Sequence, residues 1–121
     1  MSTEQRVLTL TVEASADLSA DQYKIVDIDS NGQIALAGAG GGIGILQDAP
    51  SAAGAAGSVG CGGISKVLCG GTVTKGGPVA SNASGLAIDA LTTNYIIGQA
   101  LDTGASGDII RVLMASPGRL A

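Results

Sequence analysis

The chain is predicted to be all-β, a small sandwich or barrel of short antiparallel strands built from two similar halves. Three observations predict this. Short runs rich in Ile, Val and Leu recur every eight to twelve residues or so between clusters of Gly, Asn, Asp and Pro, which is the spacing of strands and turns. No segment sustains a 3.6-residue apolar period with caps at its ends. The chain also resembles itself at an offset of 53 to 54 residues.

Composition supports the same class. With 121 residues the chain makes one domain, able to bury about two-thirds of its unfolded surface. Thirty residues are Ile, Leu or Val and 39 are Gly or Ala, while Trp, Phe and His are absent. So many large aliphatics at 13% charge argue against disorder, and so much Gly and Ala argues for turns and close backbone approaches.

The elements follow in order. Residues 1–6, "MSTEQR", read as a flexible polar arm, and 7–121 as a single domain. A first strand is expected over 7–12, where Leu8, Leu10 and Val12 alternate with polar residues. "SADLSADQY" allows at most one helical turn. Strands over 23–28 and 33–37 flank Asn31-Gly32, a hairpin signal because both residues tolerate positive φ. A strand over 43–47 leads to Asp48 and the small-residue loop "APSAAGAAG", and further strands are expected over 58–61 and 64–69 around a glycine pair. The second half repeats the plan: strands over 78–82 and 86–88 about Ser84-Gly85, then 96–101, Asp102, the loop "TGASG" and 109–114.

In the repeat, about 16–61 against 69–115, Val26 meets Val79, Gly32 meets Gly85, Ile34 meets Ala87, Gly44 meets Gly98 and Asp48 meets Asp102. It decides how "DIDSNG" (27–32) is read. Asp27, Asp29, Asn31 and Gly32 stand where a calcium-binding EF-hand loop has its first three oxygen ligands and its turn glycine, but its twelfth position is Gly38 rather than Glu, and the flanks are strand-like. The second half places Ala80, Asn82 and Ser84 at the ligand positions and keeps the glycine. The turn is therefore what the fold requires and the ligands are incidental; weak calcium binding at Asp27, Asp29 and Asn31 is the second reading.

Charge bounds the partners. Net charge is -4; the first 61 residues hold seven acids against Arg6 and Lys24, and the rest is near neutral. Without clustered Lys and Arg or stacking aromatics, no direct nucleic-acid binding is expected. No secretory signal and no membrane-length apolar run is visible, so synthesis in a cytoplasm is expected. Cys61 and Cys69 lie ~16 Å apart if Gly62-Gly63 turns a hairpin and ~26 Å apart if the strand runs through with a bend. Both exceed the ~7 Å that a disulfide bridges. Free thiols are expected, with an intermolecular bond as the alternative.

Catalytic patterns are missing. A Ser or Cys nucleophile needs a base, usually His, and there is none. "GAGGGIG" has Ile43 where a third nucleotide-loop glycine would fall, and "GGTVTKGG" puts Lys75 before its glycine rather than after it. No cofactor or metal is expected.

"GIGILQDAPSAAGAAGSVGCGGISKVLCGGTVTKGGPVASNASG" together with "IIGQALDTGASGDIIRVLM" resembles the capsid decoration, or cement, proteins of tailed bacteriophages. The resemblance runs from about Gly42 to Met114 and more loosely back to Val7. It implies an all-β virion protein without catalysis that binds the outside of an icosahedral capsid, ties major capsid protein subunits together and self-associates there, most simply as a trimer. An N-terminal arm with Glu4, Gln5, Arg6, Leu8, Leu10 and Val12 is the expected capsid contact; the other reading of 7–12 is an ordinary core strand. A fibre or tail subunit, or a small hydrolase using a carboxylate pair or a Ser with Lys66 or Lys75, are the alternatives.

Overall fold

A computed structural model describes residues 5–6, 9–91 and 95–120. Its strands are β1 (Gln5–Arg6), β2 (Thr9–Glu13), β3 (Ile25–Ile28), β4 (Ile34–Leu36), β5 (Gly44–Leu46), β6 (Ala56–Gly60), β7 (Gly63–Leu68), β8 (Pro78–Ser81), β9 (Ala87–Asp89), β10 (Tyr95–Ala100) and β11 (Ile109–Leu120). Among the described residues there is no helix. The ten expected strands are all present within a few residues. The "SADLSADQY" stretch makes two successive turns instead of a helical one, closed by the N–H groups of Asp21 and Lys24 donating to the carbonyls of Leu18 and Asp21.

The strands form two antiparallel sheets, β2-β6-β5-β3-β4 and β1-β7-β11-β10-β8-β9. Apart from β1 the orders are identical: β2 corresponds to β7, β3 to β8, β4 to β9, β5 to β10 and β6 to β11. Registers agree as well. Val26 faces Leu36 and Val79 faces Asp89, each partner 53 residues on. Each half curls until the residue that follows β2 or β7 reaches β4 or β9 in one parallel bridge, Ala14 to Ile34 in the first half and Cys69 to Ala87 in the second. The halves share one continuous thread. β6 runs through residues 61 and 62 into β7, and the N-terminal strands follow it antiparallel, Thr9 opposite Gly60 and Gln5 opposite Ile64. The chain thus bends rather than turning back after Cys61, and both cysteines are free.

Curling closes an interior in each half. The first contains Ala14, Leu18, Val26, Ile34, Leu46 and Val59. Its counterparts Cys69, Val73, Val79, Ala87, Ala100 and Val112 belong to the second, which continues into the seam between halves through Ile25, Ala37, Ile45 and Ile97. Volume is exchanged between neighbouring positions. A methyl group on Gly57 would meet Ile34 Cδ1 at 3.1 Å, while the matching pair in the second half is Ala87 and Ile110, so the bulky residue changes places. Close packing demands such an exchange, because an uncompensated methylene on either side leaves a void or strain.

The seam is also hydrogen-bonded: the N–H of Ile25 donates to the carbonyl of Gly85 (2.6 Å), that of Gly40 to Ser81 (2.8 Å) and that of Leu68 to Tyr23 (2.9 Å). This makes the two turn glycines unequal. Gly32 has φ of 75° and open space where a Cβ would go; Gly85 has φ of 76°, but a Cβ there would lie 2.8 Å from the Ile25 carbonyl oxygen. Gly32→Ala is expected to cost about 1 kcal/mol, for the left-handed backbone alone. Gly85→Ala adds a backbone clash at the seam and is expected to cost about 1 kcal/mol more, which urea denaturation of the two variants will measure.

Candidate functional site

The "DIDSNG" turn is the best-defined polar constellation. Gly32 N–H donates to the Asp29 carbonyl (3.0 Å) and Asp29 N–H to the Gln33 carbonyl (2.9 Å), while Asp29 Oδ1 accepts from the N–H groups of Asn31 and Gln33, both at 2.9 Å. Asn82 repeats this in the second half: its Oδ1 accepts from Ser84 N–H (2.8 Å) and Leu86 N–H (3.0 Å), and Gly85 N–H donates to its carbonyl (3.2 Å). Both are hairpin turns in which a glycine takes the left-handed position. Asn31 does not share the positive φ; only Gly32 needs it. The side-chain oxygen at position 29 is not incidental, as the sequence suggested, because it satisfies two backbone donors. Asp27 Oδ1 accepts from Ile28 N–H at 2.9 Å. Among the described residues no three His, Cys, Asp or Glu side chains converge on a point.

Since an amide oxygen performs the same task in the second half, Asp29→Asn is expected to leave stability within about 0.5 kcal/mol. Asp29→Ala is expected to cost about 1 to 2 kcal/mol, because it orphans two N–H groups. Thermal melts of both variants, with and without millimolar calcium, check this; calcium is expected to shift the wild-type melting temperature little.

The expected arm is placed in part. Glu4 and Leu8 lie outside the described residues, and Gln5 and Arg6 form β1 on the edge of β7. Val12 is half-buried against the first interior, the core-strand alternative, while Leu10, opposite Val59, is 40% exposed.

A second surface escaped the sequence reading. On the outer face of β7 and β11, Ile64 lies opposite Leu113, Lys66 opposite Arg111 and Leu68 opposite Ile109. Ile109 is 54% and Leu113 46% exposed. Tyr23, from the first half, borders this face and with Lys66, Asp102, Ile109 and Arg111 lines an open groove of about 490 Å³. Tyr23 has φ of 68°, the one positive φ among described non-glycine residues. Its counterpart is Gly76, at 84°; the N–H of each donates to the matching carbonyl, Leu46 or Ala100. A tyrosine held left-handed costs on the order of 1 to 3 kcal/mol. The signal available in the sequence was the repeat itself, which sets Tyr23 against a glycine.

Arg111 is held on this face by Asp102, with Nε to Oδ2 at 3.0 Å and Nη2 to Oδ1 at 2.9 Å. Asp102 Oδ2 also accepts from Arg111 N–H (3.0 Å), as Asp48 Oδ1 does from Ser58 N–H (3.0 Å), so the carboxylate tie is common to both halves and the guanidinium is peculiar to the second. The hydrogen bonds from Arg111 lower the Asp102 pKa from 3.8 to about 2. A depressed carboxylate stabilises the fold fully above its unfolded value and loses that contribution as pH falls toward the folded one. Asp102→Asn is therefore expected to flatten the loss of stability between about pH 4 and pH 2, by at most about 1 kcal/mol, because the pair is over a third exposed on the carboxylate side and solvent screens it. Acid titration followed by circular dichroism checks this.

Among the described residues the buried polar side chains are engaged. Ser65 is buried and accepts from Gln47 Nε2 at 2.6 Å, and Ser81 Oγ donates to the Asn82 carbonyl at 2.8 Å. Burial pushes both cysteine thiols up, which keeps them protonated and poorly nucleophilic.

Among known proteins, the family described as phage cement protein matches residues 1–115. The fold is similar to that of the N base of the head fibre gp8.5 in bacteriophage phi29, with a TM-score of 0.69 at 13% identity, over 93% of this chain and 98% of that one. At that identity the likeness is one of fold. No curated protein matches the chain.

Proposed function

The chain belongs to the phage cement protein family and is a structural virion protein, and on that premise we propose that it binds the outside of an icosahedral capsid, bridges neighbouring major capsid protein subunits and acts there without catalysis, as a trimer. The observation that carries the reading is the family match over residues 1–115, which takes in the N-terminal strands and both halves. Two small interiors and a hydrogen-bonded seam supply the rigid body that such a role requires. Packaged nucleic acid strains the junctions between coat subunits. A protein bound across a junction opposes its opening because the binding free energy is lost when it opens.

The N-terminal stretch is the proposed point of attachment. Glu4, Gln5, Arg6, Leu8, Leu10 and Val12 form its candidate contacts, supported by the position of β1 on a sheet edge and by the exposure of Leu10. An edge strand can extend into a neighbour's sheet through its unpaired backbone groups. A head-fibre base is the second reading, favoured by the shared fold with the phi29 protein.

Undecorated capsids mixed with the purified protein and imaged by cryo-electron microscopy are expected to show density on the outer shell, saturating with added protein. Decorated capsids are expected to rupture at higher temperature than bare ones. Deleting residues 1–6 is expected to weaken decoration more than it lowers the melting temperature of the free protein. Capsids that neither take up the protein nor gain stability would overturn the cement reading. Unchanged decoration by the truncated form would overturn only the attachment through the arm.

A further inference from the structure

The duplication supplies an internal control. Both halves have the same topology, so a difference between equivalent positions that face solvent in both halves is not demanded by that topology. Lys66, Leu68, Ile109 and Arg111 on the second outer face correspond to Thr11, Glu13, Ala56 and Ser58 on the first; the equivalent of the exposed Leu113 is Gly60, which is buried beneath Gln47. One face is apolar and cationic with long side chains. The other has smaller side chains and one acid, Glu13, within a half that holds seven acids against two bases.

We propose that these two faces are made for each other, the second-half face of one copy packing on the first-half face of another, head to tail. The inference rests on the self-association proposed above and names its surfaces. Size and charge are complementary: Ala56 and Ser58 leave room where Ile109 and Arg111 project, and Lys66 and Arg111 meet the acidic half. Tyr23 supplies the aromatic beside Ile109. Tyr and Arg are over-represented among residues that dominate binding energy, and backbone strain retained where glycine serves in the other half marks a position kept for its side chain. Contact between unlike faces is heterologous, and closes into a ring when the rotation per copy divides a full turn.

The test uses two variants, Ile109→Asp on one face and Ala56→Arg on the other, both at exposed positions, with melting curves to establish that each still folds. Sedimentation velocity over a range of concentrations is expected to show assembly of the wild type and at least about tenfold weaker assembly of each variant. Mixing the variants leaves one intact pair of unlike faces, so a heterodimer and nothing larger is expected. Folded variants that assemble like the wild type would show that these faces are not the contact, while self-association itself stands. Variants that both fail alone and give no heterodimer would overturn the head-to-tail contact, and failure of one variant while the other assembles like the wild type would replace it with a contact between like faces. A wild type that stays monomeric, free and on capsids, would overturn the inference together with the self-association, and decoration of capsids by that monomer would leave the cement reading intact. Normal assembly of Ile109→Asp with loss of decoration would hand this face to the coat protein and overturn the inference.

Discussion

Closure of each short sheet on itself is the constraint from which the rest of the structure follows. A small open sheet, five-stranded in the first half and six-stranded in the second, has two edges whose backbone groups need partners. Here each sheet curls until Ala14 reaches Ile34, or Cys69 reaches Ala87. The enclosed space is narrow. Ala, Val, Ile and Leu fill most of it, with Cys69 and Met114 in the second half and Cys61 packed against the first, and a chain without Phe or Trp is the composition that such an interior selects. Cys69 acquires a plain role in this light, as the counterpart of Ala14: a small, fully buried side chain at the closing bridge.

The second requirement is that the two closed units behave as one body. Continuity of β6 into β7 supplies a covalent path, and the N-terminal strands, which run beside both, add a hydrogen-bonded one. The seam is asymmetric. Ile25 and Ile45 are fully buried in it, whereas their counterparts Pro78 and Gln99 are exposed. Folding therefore specialises the halves, and Gly85 is more constrained than Gly32 because its turn rests on the Ile25 carbonyl while the other turn points to open space.

Much of this was legible in the sequence. The strands could be read from Ile, Val and Leu runs between glycines, and the repeat could be read residue by residue, since Val26 with Val79, Gly32 with Gly85 and Asp48 with Asp102 occupy matching positions in the structure. What was not legible has physical reasons. A sheet closed by a single bridge leaves no periodic mark at Ala14 or Cys69. Neither Asn31 nor Asp29 has the part suggested for it, because the hairpin turn needs only one left-handed residue, which Gly32 supplies, and an acceptor for two N–H groups, which Asp29 supplies. The left-handed backbone of Tyr23 is imposed by hydrogen bonds of its N–H to Leu46 and its carbonyl to Leu68, partners remote in sequence. The outer face of β7 and β11 looked like an ordinary alternation until its first-half equivalents were set beside it.

That face also shows how exposed apolar side chains can be kept from indiscriminate association. Exposed apolar area promotes association without discrimination when it is continuous. Here Lys66 separates Ile64 from Leu68, and Arg111 separates Ile109 from Leu113, across the same pair of strands. The ion pair with Asp102 holds the guanidinium in that gap, so the apolar side chains stand on either side of a fixed charge. A surface that must approach without satisfying the cations pays to desolvate them, whereas one that carries carboxylates among small residues can cover Ile109 and Leu113 and meet the charges together. Discrimination is thus built from an unfavourable element as much as from a favourable one, and the net charge of -4 adds a repulsion that keeps unpaired copies apart until complementary faces are aligned.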